Sequence, residues 1–137
     1  MRLWHYKLIS VLPKKQLVSQ WRECIAIKRR WEQNKPDSPL VNYVRNYDTS
    51  TFLNYVIDLC EEMDRRKIKF KSKYLNEIME FDNRTHFEIL QHYPEHNDRY
   101  LKQCYYNLQE KYDRGIISED EWEKIWHKCN ETVKELM

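Results

Sequence analysis

Apolar residues recur every three or four positions along most of the chain, which is the spacing of one face of an α-helix. The first stripe follows Pro13 and ends near Gln33. Proline suits the first turn of a helix, because the N–H that it lacks would have no helical partner there. The stripe consists of Leu17, Trp21, Cys24, Ile25 and Lys28.

Two further helices are predicted in the middle of the chain. Asp48, Thr49 or Ser50 can cap the first of them, and Ser72 is predicted to cap the second, which is short. Residues 40–48 fit no single pattern. The two stripes are Phe52, Val56, Leu59, Cys60 and Met63, followed by Tyr74, Leu75, Ile78 and Met79.

The last two helices have the clearest ends. Asn97 or Asp98 can cap the fourth helix, and Gly115, the only glycine, lies where a helix often ends in a left-handed residue. Ser118 and Glu121 have the spacing of a capping box that begins the fifth. The stripes are Leu101, Cys104, Tyr105, Leu108 and Tyr112, and then Trp122, Ile125, Trp126, Cys129, Val133 and Leu136.

The N-terminal segment lacks this period. Residues 1–11 are rich in aromatic and β-branched side chains, so we expect an extended arm. One glycine and four prolines disfavour an all-β fold, which needs many tight turns. The sequence therefore predicts an all-α fold: a small helical bundle that forms a single domain over residues 1–137.

Composition narrows the class of protein. With 41% apolar and 34% charged residues, the chain is too apolar for a disordered protein and too charged for a membrane protein. The first residues lack the long apolar stretch of a secretory signal. Four cysteines fall within helical stripes without C-x-x-C spacing, so we expect reduced core thiols and a cytoplasmic protein.

Charge is distributed unevenly. Residues 1–36 contain nine Lys or Arg and two Asp or Glu, a net charge of +7, whereas the whole chain carries only +2. A basic lobe favours a polyanionic partner on one face, and a solvated charged surface is an equally good interpretation of the charge alone. The same two interpretations apply to the six cations within residues 65–73.

One motif indicates a metal site, but its context argues against it. His92, Glu95 and His96 match the H-x-x-E-H pattern of a zinc peptidase. That pattern requires a continuous helix, and Pro94 between the histidines would break one. A loop that leads into the helix at Asp98 is therefore the better interpretation.

The first helix carries a more informative arrangement. Lys15, Arg22 and Arg29 are seven residues apart and form one basic stripe. Glu23 lies on a flank of that stripe, near Arg30 rather than near a second acid. Cations that bind phosphates around one carboxylate fit chemistry on a sugar–phosphate backbone, although an exposed face of ion pairs remains open.

Several segments resemble a known family. Leu8-Ile9-Ser10, Leu12, Gln16-Leu17 and Trp21-Arg22-Glu23 follow, without gaps, the start of phage-type endonuclease V, the pyrimidine-dimer DNA glycosylase with abasic-site lyase activity. The chain looks especially like a bacterial branch whose members begin M-R-L-W-H. Segments 40–44 and 94–113 also resemble that branch.

The resemblance implies a fold, a mechanism and site residues. The N-terminal arm would be packed between helices, and the protein would be a DNA-repair enzyme of the bacterial or viral cytoplasm, associated with the nucleoid. The α-amine of Met1 would be the nucleophile and Glu23 the acid/base and cation stabiliser. Damaged or abasic double-stranded DNA would be the partner, with no metal, organic cofactor, membrane or obligate protein partner. The residues implied to bind DNA are Arg2, Lys15, Gln16, Arg22 and Arg29.

Three positions depart from the family pattern. Arg2 stands where the phage enzyme has a small residue, so we expect Met1 to be retained and the amine to shift by one residue. Gln16 replaces a family histidine, and Ala26 replaces a second family arginine. A module that binds bent or damaged duplex DNA without catalysis is the alternative function, and a helical protein-interaction domain is a third.

Overall fold

The computed structural model describes residues 2–81 and 90–135, and within them it contains helices and no strand. The all-α prediction is confirmed. The α-helices are α1 (Lys14–Glu32), α2 (Thr49–Arg65), α3 (Ser72–Met79), α4 (Asp98–Asp113) and α5 (Glu119–Glu135), and 3-10 helices span Tyr6–Val11 and Asn42–Asn46. In this part of the chain, every helix is too short or too polar to cross a membrane.

Contacts divide the chain into two compact units. The first comprises Met1–Leu3 and Leu17–Tyr93, and the second comprises Trp4–Gln16 and Pro94–Met137. The proposal that the whole chain forms a single domain therefore stays a prediction. Leu136, the last residue of the predicted fifth stripe, lies outside the described residues. The same is true of residues 82–89.

Aromatic side chains fill the core of the first unit. Trp31 packs edge-on against Phe81 at 4.9 Å between ring centroids, and Phe52 contacts both rings. Trp21 of α1 packs against Phe70 at 5.2 Å. Such large rings bury much apolar area per residue, which lets short helices form a core. Fully buried side chains of this unit include Phe52, Leu17, Ile27, Leu59, Met63 and Ile78.

The second unit joins the N-terminal segment to the last two helices. Its 3-10 helix packs against α5, and α5 packs against α4. The ring of Trp122 lies 5.1 Å from Tyr105 and 5.2 Å from Tyr112, so one tryptophan of α5 covers two tyrosines of α4. The apolar stripes predicted for these two helices therefore face each other.

The extended arm expected for residues 1–11 is wrong for Tyr6–Val11, which is a 3-10 helix. The His5 side chain accepts a hydrogen bond from the Lys7 backbone and so caps this helix. Burial, with the charge of Lys7, lowers the pKa of His5 to about 4, which leaves the imidazole neutral and able to accept. Burial of Leu8 and Ile9 then stabilises the turn, a tertiary effect that propensity alone does not show.

Most predicted helix ends are confirmed. Asp48 caps α2 by accepting from the Ser50 backbone, and Asn97 caps α4 by accepting from the Tyr100 backbone. Gly115 has φ +77°, the left-handed conformation that favours glycine. The predicted cap at Ser72 is wrong, because Ser72 is the first residue of α3. Lys71 occupies the cap position and makes no side-chain cap bond.

The capping box of α5 is confirmed as a reciprocal pair. The Ser118 hydroxyl accepts from the Glu121 backbone at 3.2 Å, and the Glu121 carboxylate accepts from the Ser118 backbone at 3.0 Å. Each bond satisfies an N–H group that has no partner within the helix. The fifth helix therefore begins with two of its unpaired donors satisfied.

The four cysteines are free and buried, as expected for core thiols. Burial raises the pKa of Cys60 to about 12 and that of Cys129 to about 12. Because the thiolate is the nucleophilic form, the raised pKa disfavours reaction of these two thiols at neutral pH.

Removing the cap of α5 should destabilise the protein. Ser118→Ala deletes one of the two box bonds, so the free energy of unfolding should fall by about 1 kcal/mol. Ser72→Ala is the matched control, because the same change in α3 removes no cap bond. Urea unfolding of both variants measures the difference, and equal losses would show that the box contributes nothing.

Candidate active site

A buried glutamine joins the start of the chain to the candidate acid. Gln20 and Glu23 are three residues apart on α1 and therefore lie on neighbouring parts of its surface. The Gln20 side-chain nitrogen donates to the backbone carbonyl of Arg2 at 3.1 Å and to the Glu23 carboxylate at 3.1 Å. Gln20 is only 1% exposed. The backbone at residue 2 and the Glu23 carboxylate are thus two hydrogen bonds apart.

A tyrosine of α2 fixes the orientation of that amide. The Tyr55 hydroxyl donates to the Gln20 carbonyl oxygen at 3.1 Å, and both groups are buried. A Tyr hydroxyl can donate to the amide oxygen, whereas the amide NH2 can only donate. The assignment of oxygen towards Tyr55 and nitrogen towards Arg2 and Glu23 is therefore the one that satisfies all three bonds.

Glu23 is half-buried, and its environment shifts its titration. Burial raises the pKa of the Glu23 carboxyl above its usual range, whereas the charge of the N-terminus, the hydrogen bond from Gln20 and the charge of Arg30 oppose that shift. A carboxyl with a raised pKa exchanges protons more readily near neutral pH. When ionised, the same carboxylate can stabilise a positive charge formed beside it.

Met1, the predicted nucleophile, lies outside the described residues. The adjoining Arg2 is half-buried, and its carbonyl is held by Gln20. The hydrogen bond at Arg2 therefore holds the backbone of the second residue beside Gln20 and Glu23.

A cavity of about 490 Å³ opens beside Arg22 in the same unit. Four cations and three aromatic rings contribute to its wall, and the remainder is mostly aliphatic. Aromatic faces stack on nucleic acid bases, and cations neutralise phosphates. The lining residues are Val18, Trp21, Arg22, Ile25, Ala26, Arg29, Met63, Lys69, Phe70, Lys71 and Tyr74.

The two arginines of this wall differ in their partners. The Arg29 guanidinium forms two hydrogen bonds of 2.9 Å to the carboxylate of Glu77. Glu77 therefore compensates the charge of Arg29, which could reach a phosphate only by giving up that pair. Arg22 is exposed, and no carboxylate pairs with it within residues 2–81 and 90–135. Arg22 is thus the better placed of the two to bind a phosphate.

The remaining predicted DNA contacts are distributed between the units. Lys15 is exposed and Gln16 is half-buried, and both belong to the second unit. Ala26, which replaces the second family arginine, lines the cavity next to Arg22. A small side chain at this position leaves space where a longer one would fill the wall.

The structure gives the histidine motif a different role from metal binding. Residues 91–97 form no helix, as expected from Pro94. The Nδ1 atom of His96 accepts a hydrogen bond from the Tyr6 backbone at 3.2 Å, which ties the 3-10 helix to the segment before α4. Among the described residues, His, Cys, Asp and Glu side chains form no group of three that could hold a metal.

Reasoning from the sequence missed Gln20, Tyr55 and Phe70. Gln20 follows Leu17 by three residues and precedes Cys24 by four, so it is a polar residue within an apolar stripe. That position was a usable signal, because a buried polar group needs a hydrogen-bond partner. Phe70 gave no such signal, since only the tertiary fold brings it to Arg22. Lys69 and Lys71 belong to the six cations within residues 65–73, for which a phosphate contact was one of two interpretations.

Comparison with known proteins identifies a family that the first half of the chain matches. Residues 1–76 match the sequence model of a family described as pyrimidine dimer DNA glycosylase. The match includes α1, α2 and the cavity wall up to Tyr74. No curated protein matches the chain, and no solved structure matches it.

Neutralising Glu23 should stabilise the fold at neutral pH. Because its pKa is raised in the folded protein, the charged form is favoured more in the unfolded chain, and ionisation lowers stability as the pH rises. Glu23→Gln should therefore melt at a higher temperature than the parent at about pH 7, and the difference should vanish at about pH 3.5. Thermal unfolding at both pH values measures this.

The isosteric amide keeps an oxygen that accepts from Gln20, so the comparison isolates the charge. Glu123→Gln on α5 is the matched control, because it makes the same substitution at an exposed position outside the site. A lower melting temperature for Glu23→Gln at neutral pH would contradict the analysis of its environment.

Proposed function

Because the chain belongs to the pyrimidine dimer DNA glycosylase family, we propose that it excises a base of a pyrimidine dimer from duplex DNA and then nicks the strand. In the first step the α-amine of Met1 forms a bond to the deoxyribose C1′, and the bond from C1′ to the base breaks. The base leaves with a proton. The product is an imine between the protein and the opened sugar.

The nick follows from the imine without an external reagent. A base removes a proton from C2′, and the electron pair expels the 3′ phosphate as the bond from C3′ to oxygen breaks. Water then hydrolyses the imine and regenerates the amine. An α-amine has a pKa of about 7.7–8.0, so a useful fraction is unprotonated near neutral pH. A lysine would need a large pKa shift to act equally well.

The observation that carries this proposal is the pair of hydrogen bonds from Gln20. They hold the Arg2 carbonyl and the Glu23 carboxylate to the same nitrogen, each at 3.1 Å. The backbone of the residue that follows the proposed nucleophile is therefore held beside a carboxylate. Positive charge develops on the sugar and nitrogen during attack, and a half-buried carboxylate stabilises such charge better than a solvated one does.

Glu23 is proposed to act in both steps. Ionised, it stabilises the cationic sugar during loss of the base. With its raised pKa, it also accepts or returns a proton during elimination. No metal or organic cofactor is needed in this scheme, because the imine supplies the electron sink for β-elimination.

DNA binding is proposed to involve the wall around Arg22. Arg22, Lys69 and Lys71 are exposed cations on one cavity, and the aromatic rings between them offer stacking surfaces. Arg2, Lys15, Gln16 and Arg29 remain proposed contacts. Whether the preferred substrate is a dimer or a plain abasic site depends on the fit of the lesion, and both need the same amine and carboxylate.

Blocking the N-terminus should abolish activity without affecting DNA binding. A tag of about ten residues fused before Met1 moves the amine away from Glu23, and near-loss of nicking on dimer-containing and abasic duplexes should follow. The same tag fused after the last residue is the matched control and should leave nicking unchanged. Gel assays of nicking and of duplex binding measure the two effects separately.

The outcome also separates the enzyme from a non-catalytic DNA-binding module. Nicking that survives the N-terminal tag would assign the nucleophile to another residue, such as Lys7. Salt-sensitive binding without nicking by the untagged protein on either substrate would favour the non-catalytic module.

Arg22→Ala should weaken duplex binding uniformly over sequences. Loss of one phosphate contact should flatten the slope of log affinity against log salt by about 0.9. Arg114→Ala is the matched control, because Arg114 is exposed on the second unit and pairs with Glu110. Fluorescence anisotropy at several salt concentrations measures the slope, and equal slopes for Arg22→Ala and the parent would exclude a phosphate contact at Arg22.

A further inference from the structure

We propose that Gln20 is a positioning residue for the reaction, and that it holds the Glu23 carboxylate in a fixed place beside the Arg2 backbone. This inference rests on the proposed function of the same site. Gln20 touches neither DNA nor the reacting atoms in the proposal. It acts through the groups that it holds.

The hydrogen-bonding capacity of the amide explains why this residue type suits the position. An amide carries two N–H donors on one atom, and here the two donors serve a carbonyl and a carboxylate at equal distances of 3.1 Å. The fixed angle between the two N–H bonds sets the angle between the two acceptors. A hydroxyl has only one donor, so serine or threonine could not hold both groups.

Burial makes the arrangement difficult to replace. Gln20 is 1% exposed and Tyr55 is 4% exposed, so bulk water has little access to substitute for a lost donor. Both acceptors would then lose a buried partner, which costs more than losing an exposed one. A flipped amide is disfavoured because it would place its oxygen against the Arg2 carbonyl and the Glu23 carboxylate. The Tyr55 hydroxyl at 3.1 Å adds a bond to the oxygen in the observed orientation.

A positioning role predicts effects that a merely structural role does not. The donor from Gln20 favours the ionised form of Glu23, so removing it should raise the pKa of Glu23 further. Glycosylase activity should rise with pH as Glu23 ionises, so the acid limb of its pH profile should move to higher pH. A structural defect would reduce the amount of active protein without moving that limb.

Two substitutions at position 20 test the two parts of the argument. Gln20→Leu keeps approximate size and removes both donors. Gln20→Glu keeps the shape and places a second carboxylate beside Glu23, and two such groups cannot both ionise easily. The expected kcat falls by about tenfold to a hundredfold with KM nearly unchanged, because reacting groups are misplaced while DNA contacts remain. Gln20→Glu should show the larger shift of the acid limb.

Tyr55→Phe is a third variant, at a different position, and keeps the test valid if the Gln20 variants misfold. It removes only the hydroxyl that orients the amide, and the ring keeps its place in the core. We expect it to lower kcat in the same direction as Gln20→Leu but by less, with the acid limb shifted upward. Thermal unfolding of each variant, measured alongside, gives the folded fraction by which kcat is corrected.

The decisive measurement does not depend on activity. Carbon-13 NMR of glutamate carboxyls gives the Glu23 titration directly, with Glu23→Gln as the assignment control. A raised Glu23 pKa in Gln20→Leu and Tyr55→Phe, together with the lower kcat, supports the positioning role. An unchanged Glu23 titration, or unchanged kcat after correction for folding, overturns it. If the parent protein excises nothing, the proposed function fails, and the titration alone still decides whether Gln20 controls Glu23.

Discussion

The side-chain amide of Gln20 bonds to three separate parts of the first unit: the backbone of Arg2, the carboxylate of Glu23 and the hydroxyl of Tyr55. These bonds hold the Arg2 backbone and the Glu23 carboxylate to one side chain. The amide can do so because it is buried, and it can be buried because each of its polar atoms has a partner. The proposed chemistry therefore depends on a hydrogen-bond network in an otherwise apolar helix face.

The same arrangement has a cost in stability. Placing the Glu23 carboxylate where burial raises its pKa makes the ionised form less favourable than it would be in water. Arg30, the N-terminal charge and the Gln20 donor recover part of this cost. A carboxylate kept in such surroundings is typical of catalytic groups, because stability and reactivity then make opposite demands on one side chain.

The arginines of α1 differ in whether a carboxylate pairs with them. Glu77 holds Arg29 by two hydrogen bonds, and Asp37 pairs with Arg30. Arg22 stands exposed at the cavity together with Lys69 and Lys71. The net charge of the N-terminal third is therefore higher than the charge that a polyanion would meet. The surface proposed for DNA is defined by the exposed cations Arg22, Lys69 and Lys71.

Sequence periodicity was sufficient for the helices, although Met79 and Trp126 of the predicted stripes are exposed, and helix caps act locally in the sequence. The Ser118 box and the Asp48 cap were predictable for that reason. The predicted cap at Ser72 was wrong by one residue, because a serine near the start of a helix can be its first helical residue instead of its cap. The 3-10 helix of Tyr6–Val11 and the Gln20–Tyr55 bond were not predictable, because both depend on residues brought together only by the fold.

The central claim is that the amine at the first residue and Glu23 form one reaction centre. Borohydride reduction during reaction with abasic duplex DNA, followed by peptide mapping of the covalent adduct, tests it most directly. The account predicts an adduct on the α-amine of Met1, strongly diminished in Gln20→Leu at equal DNA occupancy. An adduct on a lysine side chain, or equal trapping in the variant, would contradict it.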